Sequence, residues 1–552
     1  MFDLFSRKKE ENLPTSALNI RKELVTLIIL DGLGIHPDPL GNSVLQAKTP
    51  FLDTIWTKGH STLLHASGVH VGLPELEPGN SEVGHLNIGS GQIVYQSLPR
   101  INDAISNGKF QENPELKAAL DYAKENGVDF HMMGILSTGG VHGHIDHLFA
   151  LLDICKREGI NPYIHAFLDG RDTGLTDGYY FLSKLINRIN EVGVGRLASL
   201  SGRFYAMDRD KRWDRTEMAY DAMLGHGRRI ATDPFQIVQE AYKNDENDQI
   251  FVPTTLVDKE GEPIGAIKDR DVLLFYNFRE DRARQITKAF VIDEANFDGF
   301  KRKVFHKDLY YLAMTGYGDG LDNHVIFPPK KIEASLARVI ANQGWNQFHI
   351  SETEKFMHVT YFLNGGIEEP HPGEEFFSVP SPKVFDYSQT PEMSAAITRD
   401  ELVKRINNNA ENRYAFTVIN IVNPDMLGHT GNLQAAVTGN QFVDDCVRDI
   451  VTATVKHNGA AIIIADHGNC ETMIDRETGK IDTYHNINPV PFILVDNEEQ
   501  LLAGVNETPI RLGEGRDVPT SGLLADVAPT ILAILGVEPP EEMTGLNLMN
   551  VL

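Results

Sequence analysis

The sequence predicts an α/β fold, in which helices alternate with the strands of largely parallel sheets. Several short apolar runs are continuous rather than alternating, which is typical of strands buried on both faces of a parallel sheet. Helical patterns lie between such runs, so strand and helix alternate along the chain. The chain has 552 residues, of which 41% are apolar, enough for two large domains with their own cores. We therefore expect two α/β domains.

Local patterns define the individual elements. Continuous apolar runs predict buried strands over 24–30, 128–137, 163–169, 415–422 and 460–465. One helix begins at Asn113 and Pro114, carries apolar residues at helical spacing and ends before Gly127. A second helix is expected over 145–158. The Pro-rich stretch 370–391 is expected to form a long loop.

The domain boundaries are expected where turn-rich segments flank the central region. That region has βα units of its own and lies between QSLPRIN at 96–102 and FPPKKIEAS at 327–335. These two segments are therefore plausible crossings between two domains. The expected parts of the chain are an N-terminal extension (1–22) and the segments 23–95, 96–330 and 331–552.

Composition excludes several classes of protein. A formal net charge of −26 is too acidic for a general nucleic-acid binder. The three cysteines are too few and too scattered for a disulfide framework or a thiolate metal site. No apolar stretch reaches the roughly 18 residues that cross a bilayer, and no signal-peptide core is present. We therefore expect a cytoplasmic protein that binds neither nucleic acid nor membranes.

Acidic and imidazole side chains follow three of the predicted buried strands. Asp31 follows the first strand, Asp425 and His429 follow the strand at 415–422, and Asp466 with His467 follows the strand at 460–465. In parallel sheets, ligands bind at the carboxyl ends of strands, so these residues can converge. Oxygen and nitrogen ligands without thiolate suit manganese, zinc or magnesium, and so large a cluster indicates two ions. Alternatively, each Asp is a turn or helix cap and each His a surface residue; a further histidine, in the segment YHNINPVP, favours the metal site.

Ser81 is the candidate nucleophile. It lies in the segment GNSEVGH at 79–85, where flanking glycines let the backbone approach a ligand closely. The segment is not an esterase elbow, because that motif requires glycine at the position of Val83. The alternative is that Ser81 is a turn residue or a helix cap.

Arginines cluster in three segments of the central region. The segments are GRDT (170–173), GRFYAMDRDKRWDR (202–215) and NFREDRAR (277–284). Arginine binds phosphate and carboxylate in a bidentate manner, so such clusters in an acidic chain indicate a specific anion pocket. The alternative is a set of solvent-facing ion pairs with the neighbouring acidic residues. Together with a serine and a metal site, the clusters favour a phosphate-bearing anion.

These motifs resemble the metal-dependent, cofactor-independent phosphoglycerate mutases of the alkaline phosphatase superfamily. The resemblance extends from about Leu24 to the end of the chain. It is carried by segments in family order: LDGLG (30–34), GNSEVGH (79–85), GGVHGH (139–144), DGRDT (169–173), YAMDRDKRW (205–213), SETEK (351–355), NPDMLGHTG (423–431), ADHGN (465–469) and ADVAPTIL (525–532). It implies a split phosphatase-like domain that holds the metals and an inserted transferase domain.

The resemblance also implies the roles of individual residues. One ion would be held by Asp425, His429 and His485, and the other by Asp31, Ser81, Asp466 and His467. The implied catalytic residues are Ser81, Asp172 and Lys355. The implied substrate contacts are His142, Arg171, Asp172, Arg203, Arg209, Arg279, Arg282 and Lys355.

The implied reaction interconverts 3-phosphoglycerate and 2-phosphoglycerate in glycolysis and gluconeogenesis, through a phosphoserine at Ser81. Two divalent ions are implied, with manganese the expected metal, and no bisphosphoglycerate is required. We expect a monomer whose partner is its small-molecule substrate. Two alternatives stay open: a metal-dependent phosphohydrolase or another phosphomutase of the same superfamily, and a non-catalytic metal-binding protein.

Overall fold

The computed structural model describes residues 18, 20–318, 320–321, 324–329, 332–408, 414–502, 510–514 and 520–552. Most of the expected N-terminal extension, 1–22, lies outside the described residues. The chain divides into two compact units: unit 1 comprises Met1–Gln96 and Lys331–Leu552, and unit 2 comprises Ser97–Lys330.

Strands and helices alternate through both units. The strands are β1 (Val25–Leu30), β2 (His60–His65), β3 (Phe130–Ile135), β4 (Tyr163–Leu168), β5 (Arg196–Gly202), β6 (Arg229–Ala231), β7 (Thr254–Leu256), β8 (Val272–Phe275), β9 (Tyr310–Thr315), β10 (Val325–Phe327), β11 (Asn346–Glu352), β12 (Glu374–Val379), β13 (Tyr414–Ile421), β14 (Ala460–Ile464), β15 (Val490–Val495) and β16 (Thr520–Leu523).

The α-helices are α1 (Ser43–Gln46), α2 (Pro50–Lys58), α3 (Ser81–Ser90), α4 (Ser97–Ser106), α5 (Pro114–Asn126), α6 (Ile145–Glu158), α7 (Gly178–Val192), α8 (Arg203–Ala206), α9 (Trp213–Met223), α10 (Pro234–Lys243), α11 (Glu280–Val291), α12 (Leu336–Asn342), α13 (Ala395–Asn407), α14 (Asn423–Gly428), α15 (Leu433–Lys456) and α16 (Val527–Leu535). Short 3₁₀ helices span Gly68–Val71, Asp248–Ile250, Tyr387–Gln389, Glu498–Leu501, Leu524–Asp526 and Leu548–Asn550, and a π-helical turn spans His358–Phe362.

Unit 1 is built on an eight-stranded sheet with the order β12-β11-β13-β1-β14-β15-β2-β16. The central strand β1 pairs in parallel with β13 on one side and with β14 on the other. All residues of these three strands are buried. Their continuous apolar sequences therefore reflect helices covering both faces of the sheet. The strand β15 is antiparallel to both of its neighbours.

Unit 2 has its own eight-stranded sheet, with the order β10-β9-β8-β3-β4-β5-β7-β6. The strands β8, β3, β4 and β5 are parallel to one another, whereas β7 runs antiparallel to β5. Helix α5 begins with the Asn113 side chain accepting backbone N–H groups and ends at Gly127, which has a φ of 63°. The caps predicted for this helix are confirmed.

The prediction of two α/β units is confirmed, and the five predicted strands and two predicted helices are present. The prediction of a continuous loop over 370–391 is wrong. The strand β12 forms within it and pairs in parallel with β11 at the edge of the sheet. Its sequence, EEFFSV, begins with two charged residues and is only partly buried, as is usual for an edge strand. Among the described helices, none combines the length and apolar character of a membrane span.

Candidate active site

Three parallel strands deliver carboxylates to one edge of the sheet in unit 1. Asp31 directly follows β1, Asp425 lies in α14 just after β13, and Asp466 is the second residue after β14. Because β1 pairs in register with both β13 and β14, the three carboxyl ends coincide. All three carboxylates are buried. The structure therefore brings together the acidic residues that the strand-end pattern singled out.

Ser81 is the first residue of α3 and faces this cluster. The preceding Asn80 caps the helix by accepting the backbone N–H of Val83 at 3.0 Å. Ser81 Oγ lies 3.3 Å from Asp31 Oδ1 and 2.9 Å from His467 Nε2. The capping role that competed with the nucleophile interpretation thus belongs to Asn80, and the Ser81 hydroxyl is free to serve the site.

Glycines allow α3 to approach the strand ends this closely. A Cβ on Gly84 would lie 2.7 Å from the backbone oxygen of Asp466. A Cβ on Gly79 would lie 2.0 Å from the backbone oxygen of Ala66. Both distances are below any normal contact, so larger residues would push the helix away from the carboxylates. The glycines of the segment 79–85 therefore place the serine.

Lys355 supplies the positive charge at the centre of the cluster. Its Nζ donates to Asp31 Oδ1 at 2.8 Å, to Asp425 Oδ2 at 2.6 Å and to Ser81 Oγ at 2.6 Å. Burial lowers the pKa of Lys355, but Asp31 and Asp425 outweigh burial and raise it above its ordinary value. The ammonium therefore stays protonated, and it can stabilise negative charge that develops on the Ser81 oxygen.

The carboxylates respond to this crowding in opposite directions. Burial and the neighbouring Asp466 raise the pKa of Asp31, while Lys355 opposes them. Burial also favours the neutral form of Asp425, but Lys355 dominates and holds the pKa of Asp425 well below its usual range. The pKa of Asp466 is lowered against burial, chiefly by His467. The site therefore concentrates negative charge that calls for cations.

Two histidines direct their Nε2 atoms to Asp425. His429 Nε2 lies 3.3 Å from Asp425 Oδ1, and His485 Nε2 lies 3.2 Å from the same oxygen. Their Nδ1 atoms hydrogen-bond to the backbone oxygens of Thr483 and Gly79, at 2.8 and 2.9 Å. The backbone therefore fixes both rings with Nε2 facing the carboxylate, which is the arrangement of metal-binding histidines. A cavity lined by both histidines reaches this group.

The donors fit divalent cations. Ligand atoms of Asp425, His467 and His485 lie within 4.8 Å of one another, and so do those of Asp31, His85 and Asp466. Among the described residues, Asp466 Oδ2 is buried without an aligned hydrogen bond. Carboxylate and imidazole donors without sulfur suit manganese or zinc. The donor types of the two groups therefore suit a two-ion centre. Their membership differs from the predicted sets, because His467 is grouped with Asp425 and His485, and His85 is grouped with Asp31 and Asp466.

The predicted substrate residues of unit 2 gather at the carboxyl ends of its parallel strands. Arg203, which follows β5, donates from one terminal nitrogen to Asp169 Oδ1 at 2.5 Å and to Asp172 Oδ2 at 2.6 Å. Arg203 and Asp169 are buried, so this is not a solvent-facing ion pair. Arg171 lies in the same loop, where its backbone N–H donates to Asp169 at 3.3 Å and its side chain is exposed.

A second group in unit 2 surrounds Asp281. Arg209 donates to Asp281 Oδ2 at 2.7 Å, and Arg279 Nε lies 3.2 Å from Asp281 Oδ1. His142 Nδ1 lies 3.7 Å from the same carboxylate. Burial and the nearby Arg203 lower the pKa of His142 to about 4, so this histidine is neutral near pH 7.

Arg282 completes the cationic set. It donates to the backbone oxygen of Met207 at 3.1 Å. Burial and the neighbouring Arg209 lower its pKa. Arginines crowded in this way are poised to bind an anion.

Sequence reasoning missed several buried residues that hold the site together. Asn469 Nδ2 donates to Asp425 Oδ1 at 2.7 Å. Glu471 Oε2 accepts the backbone N–H groups of Gly34 and Asn469, each at 3.0 Å, and so ties together the loops after β1 and β14. Their position within five residues of Asp466 was the available signal. His85 ends the same motif as Ser81 and was also given no role.

Comparison with known proteins identifies the family. A family model described as the N-terminus of BPG-independent PGAM matches residues 101–319. A 2,3-bisphosphoglycerate-independent phosphoglycerate mutase from Clostridium perfringens (strain SM101 / Type A) is 45% identical over 532 residues, which cover 96% of this chain and 99% of that protein. A protein of the same name from Methanococcoides burtonii is 45% identical over 537 residues, with the same coverage of both chains. The chain belongs to this family.

A solved structure agrees with this assignment. The phosphoglycerate mutase of Leishmania mexicana, determined at low cobalt concentration, is 31% identical, with a TM-score of 0.56 and coverage of 97% of this chain and 99% of that one. The chain is thus a phosphoglycerate mutase, an isomerase that requires no 2,3-bisphosphoglycerate. Its substrate is a small molecule.

Proposed function

We propose that this phosphoglycerate mutase interconverts 3-phosphoglycerate and 2-phosphoglycerate through a phosphoserine at Ser81. The observation that carries the proposal is the position of the Ser81 hydroxyl, 2.6 Å from the buried ammonium of Lys355 and 2.9 Å from His467 Nε2. A hydroxyl held by a protonated amine at the N-terminus of a helix is activated for attack on phosphorus.

The metal centre is part of the proposal. One ion would be held by Asp425, His429 and His485, and a second by Asp31, Ser81, Asp466 and His467, with manganese as the metal. The carboxylate and imidazole donor types support it. So do the contacts of Asp425 with His429 and His485, and those of Asp31 with Ser81 and His467. When bound, such ions lower the pKa of the serine hydroxyl and offset charge on the phosphoryl oxygens.

In the first half-reaction, Ser81 Oγ attacks the phosphorus of 3-phosphoglycerate. The bond from phosphorus to the substrate's O3 breaks, and O3 takes up a proton in exchange for the one that the Ser81 hydroxyl gives up. Glycerate forms with both hydroxyls free and stays in the site. Lys355 balances the charge on the transferring group. In the second half-reaction, the 2-hydroxyl of glycerate attacks the phosphorus of the phosphoserine, and its proton passes to Asp172. The bond from phosphorus to Ser81 Oγ breaks, and Ser81 Oγ takes up a proton in place of the one given to Asp172. The product is 2-phosphoglycerate.

The arginines of unit 2 hold the substrate in this proposal. Arg203, Arg209, Arg279 and Arg282, with Arg171 and His142, bind the carboxylate and hydroxyl groups of glycerate. The partly buried ion pair of Arg203 with Asp172 supports this role, because it fixes the carboxylate that accepts the proton. Retention of glycerate decides the outcome, since water reaching the phosphoserine would release free phosphate.

Domain roles and setting complete the proposal. The split domain (23–95 and 331–552) carries the metals and the insert (96–330) acts as the transferase domain. We infer a cytoplasmic monomer. The three cysteines are buried and unpaired, which supports a reducing compartment.

The test follows phosphorus NMR signals from purified protein given 3-phosphoglycerate and Mn²⁺ without 2,3-bisphosphoglycerate. The proposal predicts conversion to 2-phosphoglycerate with little free phosphate. Free phosphate as the main product would identify a phosphohydrolase instead. Dependence on added 2,3-bisphosphoglycerate would reject the proposed mechanism.

A further inference from the structure

His85 joins the nucleophile helix to the metal-site carboxylates. It lies one helical turn after Ser81 in α3 and is completely buried. Its Nδ1 is 2.9 Å from the backbone oxygen of Ser81 and 3.2 Å from Asp466 Oδ2. Its Nε2 is 3.1 Å from Asn420 Nδ2. An amide nitrogen can only donate, so Nε2 accepts and the proton resides on Nδ1.

Asn420 extends the connection to the second carboxylate. It lies near the end of β13, where it is paired with Ile29 of β1, and it is 1% exposed. Its Nδ2 donates to Asp31 Oδ2 at 2.7 Å as well as to His85 Nε2. Both hydrogens of this amide are therefore used. Asp31 Oδ1 faces Lys355, so the two oxygens of this carboxylate are held from different sides.

We propose that His85 and Asn420 are positioning residues that form one bridge between Asp31 and Asp466. This bridge, Asp31–Asn420–His85–Asp466, consists of the hydrogen bonds of Asn420 with Asp31 and His85 and of the 3.2 Å contact between His85 Nδ1 and Asp466 Oδ2. It connects two of the carboxylates of the proposed second ion. It also fixes the backbone oxygen of Ser81 through His85 Nδ1. The inference rests on the proposed metal centre. It assigns to His85 the task of orienting ligands and not that of binding the ion.

The alternative that His85 is itself a ligand disagrees with its contacts. Both ring nitrogens already face protein groups, and a metal bond through Nε2 would require the Asn420 amide to turn away from it. Turning that amide would also release Asp31 Oδ2. Residues that hydrogen-bond to ligands in this way fix ligand orientation, and their removal commonly costs 10–100-fold in metal affinity.

The experiment titrates Mn²⁺ calorimetrically into chelator-stripped full-length protein. The variants are His85→Ala, His85→Gln, Asn420→Ala and the double variant His85→Ala with Asn420→Ala. His349→Ala is the matched control, because His349 is also fully buried in unit 1 and bonds a backbone oxygen, that of Val359, and an amide, that of Gln347. Thermal unfolding of each metal-free variant and its kcat and KM are measured alongside.

We expect His85→Ala and Asn420→Ala each to weaken binding of one of two ions by about 10–100-fold. The double variant should bind Mn²⁺ at most about threefold more weakly than the weaker of the two single variants, because each single substitution already breaks the same bridge. His85→Gln should recover most of the affinity, since its side-chain oxygen can accept from Asn420. For the single variants, kcat should fall while KM changes little. His349→Ala should lower the unfolding temperature and leave Mn²⁺ affinity unchanged.

Four results with the variants would overturn the inference. Wild-type affinity in His85→Ala excludes a bridge. Additive losses in the double variant show two independent contributions. Loss of one whole ion in His85→Ala, with normal affinity in Asn420→Ala, makes His85 a ligand. Equal losses in His349→Ala make the effect one of general packing. If the wild-type protein itself binds no pair of ions, the proposed metal centre fails and the bridge fails with it.

Discussion

Replacing Lys355 by methionine tests the charge balance of the site. The Nζ atom contacts Asp31 at 2.8 Å and Asp425 at 2.6 Å, and the lysine side chain is 8% exposed. Methionine keeps most of the volume but removes the charge, so two buried carboxylates lose their cation. Removing one partner from a buried ion pair costs about 3–5 kcal/mol. We expect the free energy of unfolding of the metal-free protein to fall by about this amount.

Divalent ions should offset most of this loss. Saturating Mn²⁺ supplies positive charge to the same carboxylates and binds only the folded protein, so the stability gap between variant and wild type should narrow. Activity should not recover, because the ammonium also contacts Ser81 Oγ at 2.6 Å. Loss of one preorganised donor to a reacting oxygen costs about 10²–10³-fold in kcat.

Guanidinium unfolding with and without Mn²⁺, together with steady-state kinetics, measures both effects. Lys383→Met is the matched control, since Lys383 is exposed and should show neither change. Wild-type stability of metal-free Lys355→Met would refute the charge argument. A loss of kcat below about threefold would remove Lys355 from the chemistry.

Three further perturbations test other parts of the site. Arg282→Ala should lower kcat/KM by about 10²-fold, which corresponds to ~3 kcal/mol for the loss of a charged contact. It should also raise the ratio of free phosphate to 2-phosphoglycerate, whereas the control variant Arg284→Ala should change neither. Asp425 raises the pKa of His429 and, against the effect of burial, the pKa of His485. Because protons compete with metal for these rings, falling pH should weaken Mn²⁺ binding and activity, and excess Mn²⁺ should restore activity at pH 6. Burial raises the pKa of Glu352 from 4.5 to about 7, so the folded protein loses stability as pH rises between these two values. Relative to wild type, Glu352→Gln should therefore raise the free energy of chemical unfolding by up to about 3 kcal/mol at pH 8 and leave it unchanged at pH 4.

Sequence patterns predicted the centre of each sheet better than its edges. The strands β1 and β14 are short, apolar and buried on both faces, so their runs are unambiguous. Helix α5 carries a cap at each end, and its bounds followed from those caps. The edge strand β12 lacks a continuous apolar run, and it forms because β11 offers a free row of backbone groups. Such pairing depends on tertiary neighbours and leaves little trace in local sequence.

The candidate site shows the same division. Residues such as Asp31 and Asp466 were found because parallel strands bring their carboxyl ends together, which a strand pattern reveals. Glu471 was missed because its partner Gly34 lies 437 positions away. Its place five residues after Asp466 indicates the neighbourhood of the site but not this contact. Asn420 was missed because it lies inside an apolar strand, where its hydrogen bond to Asp31 is visible only after the sheet forms.

The most direct test of the account asks whether the phosphoryl group is carried by Ser81. Wild-type protein loaded with Mn²⁺ is mixed with ³²P-labelled 3-phosphoglycerate, quenched within milliseconds and digested, and the labelled peptide is sequenced. In the wild-type protein we expect a transient labelled phosphate on Ser81. A Ser81→Ala variant that still binds metal should carry no label and should lose at least a thousandfold in kcat, which corresponds to about 4 kcal/mol in the activation barrier. Label on another residue, or a Ser81→Ala variant that keeps a tenth of the wild-type kcat, would contradict it.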